Sequence, residues 1–125
     1  DGIIAGLYAT LALSKTDGTL ADFVDAAPKL ASESRAFAMP SDEAKFAVME
    51  ELKKELLKRS KNANTMDGVR LDFDRGWVLV RASNTSLLIR LTVEGESQPD
   101  FNSLMEEYDG LVKEKVEKAG GHPEA

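Results

Sequence analysis

The stretch "VRASNTSLLIR", Val80 to Arg90, gathers the side chains of this protein best suited to holding an anion. Arg81 offers a planar, always-charged guanidinium whose fork of N–H donors matches two oxygens of a phosphate. Ser83 and Thr85 add hydroxyl donors, and Asn84 adds an amide donor on a residue that tolerates left-handed turns. A turn from Ala82 to Ser86 can aim successive backbone N–H groups into one concavity, and its small side chains leave room for close approach. The charge pattern agrees: no carboxylate lies between Asp74 and Glu94, whereas Arg75, Arg81 and Arg90 all fall there. Yet Ser, Asn and Thr are also the ordinary content of a loop between strands, and an arginine at a strand end is commonly a surface charge. From these residues alone, an oxyanion site and a plain connection both stand open.

The remainder of the 125 residues supplies little rival chemistry. There is no cysteine, which excludes disulfides and thiolate metal sites and makes a reducing cytoplasm the expected location. The single histidine, His122, sits in the tail "GGHPEA", so neither a histidine triad nor a histidine metal cluster is expected. Asp72 and Asp74 in "LDFD" lack further ligands nearby and read as the solvent side of a strand and its turn, not as a metal loop. No catalytic residue, metal ligand or cofactor is therefore assigned. A net charge of −6 argues against nucleic acid or an anionic membrane as partner. No apolar run reaches spanning length, and no Walker or Rossmann glycine pattern is present.

With 42% hydrophobic and 30% charged residues the chain can bury a core, and its patterning says how. "DGIIAGLYATLALSKTDG" is helical and apolar on nearly every side, the mark of a helix buried between layers. Thr19 and Asp22 form a capping box for a short helix through Phe23 and Val24, stopped before Pro28. "SESRAFAMP" reads as an edge strand. Ser41 then caps a helix running to about Ser60, whose face is marked by Phe46, Met49, Leu52 and Leu56. Val69, Leu71 and Phe73 alternate with Arg70 and Asp72, and Asp74-Arg75-Gly76 turns the chain into "WVLVR". Leu87, Ile89, Leu91 and Val93 line one face of a further strand. Ser97 and Asp100 open a last amphipathic helix from Phe101 to Val116, stopped by Gly120-Gly121. The expected fold is α+β: an antiparallel sheet of about four strands with helices packed on one face, preceded by two helices.

Ordered pieces of this sequence resemble a known family. Asp67-Gly68-Val69-Arg70, Gly76-Trp77, Arg81-Ala82-Ser83-Asn84-Thr85 and Val93-Glu94 look like the signature of the C-terminal domain of the α-D-phosphohexomutases, the phosphomannomutase/phosphoglucomutase family. The opening segment through Val24 resembles the helices that close that family's third domain. The resemblance implies residues 1–30 as the helical tail of a third domain, 31–120 as a fourth, phosphate-binding domain like the TATA-box-binding protein, and 121–125 as a flexible tail. The start at Asp1, without an initiator methionine, fits the expectation of an excised fragment. One departure is plain: many members follow the threonine with Glu-Pro or Thr-Pro, and here Ser86-Leu87 follows.

What the resemblance implies for function is specific. Family members interconvert hexose 1-phosphates and 6-phosphates through a bisphosphorylated intermediate. A phosphoserine and a Mg²⁺ in earlier domains do the chemistry, and the fourth domain grips the phosphate that is not reacting. That gripping role falls on Arg81, Ser83, Asn84 and Thr85, with Arg90 beyond the motif as a longer-range electrostatic contributor. The expected partners are a phosphosugar, through its phosphate, and the other domains of the same enzyme. The phosphoserine motif and aspartate-rich metal loop are not found here, so the chain alone is expected to be inactive. The rival reading is a non-catalytic protein-interaction module that docks through the apolar helix of Ile3 to Leu13.

Overall fold

Strands that alternate with a period of two need one face covered, and two amphipathic helices supply the cover. The computed structural model describes residues 1–60 and 62–124. In chain order the elements are α1 (Gly2–Leu13), α2 (Leu20–Asp25), β1 (Ala31–Ala38), α3 (Asp42–Leu56), β2 (Ala63–Asn64), β3 (Val69–Phe73), β4 (Gly76–Ala82), β5 (Leu88–Gly95), α4 (Gln98–Lys118) and β6 (His122–Pro123). The sheet runs β2-β3-β4-β5-β1-β6 with every pairing antiparallel. Its strands number six and not about four, because β2 and β6 add two residues each at opposite edges. Such short pieces carry no period of their own. β1, expected as an edge strand, lies one strand in from the edge: β5 pairs along its whole length and β6 covers its Phe37 and Ala38 on the other side.

The core lies between the sheet and the helices α3 and α4. Val78 and Val80 of β4 and Ile89, Leu91 and Val93 of β5 are fully buried there, against Leu52, Leu104 and Val112 of the helices. Each such side chain contributes roughly 1.5–3 kcal/mol of apolar burial. Two expected core positions fall outside it. Leu87 is exposed because β5 begins one residue later, and Phe46 is exposed because the buried stripe of α3 is Lys45, Val48, Leu52 and Leu56. Leu52 and Leu56 belong to both faces; the difference lies in the first half of the helix, where Lys45 and Val48 take the places expected of Phe46 and Met49, one residue or about 100° away. The helix also ends at Leu56, short of Ser60.

The C-terminal end makes defined backbone contacts. The N–H of Gly120 donates to Glu117 O and that of Gly121 to Val116 O, each at 3.0 Å. With Gly120 at φ +79 this is a Schellman motif, and it turns the chain back toward the sheet. His122 and Pro123 then pair with Ala38 and Phe37, and the Glu124 N–H donates to Ala36 O at 2.9 Å. Ala125 lies outside the described residues.

α1 and α2 contribute nothing to this core. The sequence places α1 between layers, but none of its residues is buried, and Ile3, Leu7, Leu20 and Phe23 are all exposed. The capping box of α2 does form, Thr19 and Asp22 bonding reciprocally. Removing residues 1–29 is accordingly expected to change the stability of the remaining chain by about 0.5 kcal/mol or less. Thermal melts of the two forms followed by circular dichroism check this; a large drop on removal means these helices support the sheet.

Candidate functional site

β4 and β5 form a hairpin whose register sets Ala82 opposite Ile89 and Arg81 opposite Arg90. Because Val80 and Ile89 face the helices, their neighbours Arg81 and Arg90 project from the opposite, uncovered face of the sheet. The Ser83 N–H closes the hairpin on Leu88 O at 2.8 Å, leaving a short tip between them. Arg81, Ser83, Asn84, Thr85 and Arg90 together line a pocket of about 190 Å³ at that tip. The four residues singled out in the sequence are thus brought to one place. Arg90 joins them through strand register.

The donors are largely available. Among the described residues Arg90 takes part in no ion pair, and the side chains of Asn84 and Thr85 have no hydrogen-bond partner. The Ser83 hydroxyl is shared with the Ser86 hydroxyl at 2.8 Å and receives a long bond, 3.4 Å, from the Thr85 N–H. Arg81 is the exception: its Nη1 lies 3.1 Å from Asp67 Oδ2. Both side chains are well exposed, and a single-point surface pair of this kind is worth about 0–1 kcal/mol. A dianion that offers two acceptor oxygens competes with it readily. The carboxylate-free window of the sequence is therefore partly refilled in space, because pairing of β3 with β4 sets Val69 against Val80 and brings Asp67 alongside.

The neighbouring motif residues build the platform under this hairpin. Gly68, at φ +77, lets the chain pass so close to β4 that a Cβ there would lie 2.3 Å from Val80 O. Arg70 stacks its guanidinium 4.2 Å from the Trp77 ring centre and pairs with Asp72 at 2.8 Å. The Trp77 indole N–H donates in turn to Glu94 at 2.8 Å across the β4–β5 pair. Asp72 is thus engaged by an arginine on the solvent face of its strand, as the alternation implies.

One contributor escapes sequence reasoning. Lys45, on α3, is only 2% exposed, and its Nζ donates to the carbonyls of Ser83 (2.8 Å) and Ser86 (3.0 Å) while pairing with Asp42 at 2.6 Å. It lies far from the loop in sequence and beside a phenylalanine that draws the eye as the apolar residue. A larger hollow, about 490 Å³, runs along the edge of β1 beside α4. Its two cations, Arg35 and Lys113, face three carboxylates, Glu33, Asp109 and Glu124, and Arg35 is already tied to the first two, so the lining suits an anion less well. Size and chemistry disagree, and the chemistry favours the hairpin tip.

Comparison with known proteins gives a consistent answer. Residues 38–111, more than half of the chain, match the family described as the phosphoglucomutase/phosphomannomutase C-terminal domain. The chain is 34% identical over 114 residues to a phosphoglucosamine mutase from Methanococcus maripaludis, which covers 90% of this chain and 25% of that protein. A probable phosphoglucosamine mutase from Methanopyrus kandleri is 43% identical over 77 residues, 62% of this chain and 17% of that one. A phosphomannomutase/phosphoglucomutase from Pseudomonas putida is 32% identical over 108 residues, 86% of this chain and 23% of that protein. The chain thus spans about a quarter or less of the length of these relatives.

Proposed function

We propose that this chain, which belongs to the phosphoglucomutase/phosphomannomutase C-terminal domain family, is the part of a phosphohexomutase that grips a substrate phosphate. The observation that carries the proposal is the pocket in which Arg81, Ser83, Asn84, Thr85 and Arg90 converge without a carboxylate among its lining residues. The reaction served is the interconversion of hexose 1-phosphate and 6-phosphate through a bisphosphorylated sugar. Arg81 and Arg90 supply charge, and the tip of the hairpin supplies neutral N–H and O–H donors. None of these groups reads the sugar ring, so the same clamp accepts a phosphate from either end of the molecule. Binding energy from this remote phosphate then orients the reacting one.

The chemical step belongs to parts of the enzyme beyond this chain, including a Mg²⁺, and the chain alone is inactive. The relatives' names divide between glucosamine and mannose/glucose phosphates, so the sugar is left to those other parts. The other domains of the enzyme are the partners for the exposed apolar faces of α1 and α2. Among the described residues no helix is long and apolar enough to cross a membrane. A reducing, cytoplasmic location is proposed on the cysteine-free composition alone.

Each charge-assisted hydrogen bond contributes roughly 1.5–3 kcal/mol. After several kcal/mol for immobilising the ligand, a few such bonds leave roughly millimolar affinity. Inorganic phosphate titrated into the 125-residue chain and followed by amide NMR shifts tests the reading. The largest changes are expected at residues 81–86, weakening as salt is raised. Changes centred on the β1 edge or on α1 count against the site.

A further inference from the structure

We infer that Lys45 is a positioning residue, one that turns the backbone donors of the hairpin tip toward the phosphate without touching the ligand. The inference rests on the phosphate-site reading above and adds the device that shapes the site. Two of the N–H donors of its ammonium group go to Ser83 O at 2.8 Å and Ser86 O at 3.0 Å, and its charge pairs with Asp42 Oδ1 at 2.6 Å. The lysine is buried, 2% exposed, while Asp42 stands largely in solvent. The charge is thus brought under the tip from the helix side of the sheet, and the pocket with Arg81 and Arg90 opens on the other side.

The planar trans peptide makes this placement consequential. Within one peptide unit the C=O and the following N–H point in opposite directions. Drawing Ser83 O down toward Lys45 sends the Asn84 N–H away from it, and drawing Ser86 O down does the same for the Leu87 N–H. Among the described residues neither of these N–H groups has a hydrogen-bond acceptor, so both are spare donors. A carbonyl presented to an oxyanion repels it, whereas an N–H attracts it. Lys45 therefore keeps the Ser83 carbonyl away from the ligand and holds the Ser83–Asn84 peptide plane in the receptive orientation before anything binds, while its bond to Ser86 O anchors the far side of the tip.

Releasing that plane makes the protein order it again at each binding event, a cost of about tenfold or more in affinity. The experiment compares Lys45→Met and Lys54→Met in the full chain, titrated with inorganic phosphate well below the melting temperature of each. Lys54 is an exposed lysine of the same helix, so its replacement removes the same charge without the loop contacts. Expected for Lys45→Met are a weakened phosphate affinity of that size and displaced Asn84 and Leu87 amide signals before ligand is added. Lys54→Met is expected to bind as the unaltered chain does.

A lysine that merely stabilises the fold lowers the melting temperature and leaves the affinity intact, and that result overturns the inference while the site survives. If the unaltered chain shows no phosphate response at the tip, the site reading fails and the inference falls with it. Should Lys45→Met not fold, the unaltered protein decides. Its Lys45 ammonium is expected to give a slowly exchanging ¹⁵N-attached proton signal while the Asn84 amide shifts on phosphate addition. A rapidly exchanging ammonium overturns the inference.

Discussion

Replacing Gly68 with alanine is expected to destabilise the fold by about 2–4 kcal/mol and to abolish phosphate binding at the hairpin tip. Gly68 has φ +77, a region that costs an L-residue with a Cβ about 1–2 kcal/mol. The added carbon would also lie 2.3 Å from Val80 O, 2.6 Å from Arg81 Cβ and 2.8 Å from Arg81 Cα. None of these is the far end of a flexible side chain, so β3 and β4 must part locally, and Arg81 moves with them. Urea unfolding measures the loss, which should appear as a lower midpoint with little change in slope. Gly110 on α4 is the natural comparison, since a Cβ there meets nothing within 4 Å. Alanine at that position is expected to stabilise by about 0.5–1 kcal/mol. Equal effects at the two positions contradict the close approach of Gly68 to β4.

The second large effect concerns the ligand. Arg81→Met is expected to weaken phosphate binding by about 10- to 100-fold, the loss of one or two charge-assisted hydrogen bonds. The fold should be spared, because the arginine is half-exposed and its one ion pair is weak. Asp67→Asn should act with the opposite sign. It frees the guanidinium from its carboxylate and removes a negative charge beside the ligand, tightening phosphate binding by up to about fivefold. Isothermal titration or NMR shift titration of the three proteins at one ionic strength reads both. If Arg81→Met binds as tightly as the unaltered chain, the pocket is not the phosphate site.

These two experiments touch residues that differ in how readable they were. Arg81, Ser83, Asn84 and Thr85 lie almost consecutively, so local sequence alone brings them together, and the pocket they line required no long-range inference. Arg90 is visible as a charge, but its place opposite Arg81 depends on strand register, which the length of the turn only loosely fixes. Asp67 sits outside the carboxylate-free window in sequence and enters it in space through the β3–β4 pairing. Lys45 is the hardest case. Periodicity assigns a helix face by its apolar members, so a buried lysine between Ala44 and Phe46 has no signal until the loop carbonyls that satisfy it are known.

The fold divides along the same line. The long strands and the two packed helices follow from alternation and amphipathic stripes, which are properties of a segment by itself. β6 does not, because its two residues are ordered only by the turn at Gly120 and by the edge of β1. The apolar pattern of α1 correctly gave a helix but not its surroundings, since burial is a relation to another surface and none of the described residues provides one.

The position of β4 and β5 in the sheet has one more consequence. Each is flanked by strands on both sides, so the arms bearing Arg81 and Arg90 have no loose margin along which to fray. Freedom to vary is confined to the few residues at the crest, from Ser83 to Leu87. In the proposed phosphate site the crest can therefore be exchanged like the bit of a tool while the shank beneath it keeps its shape.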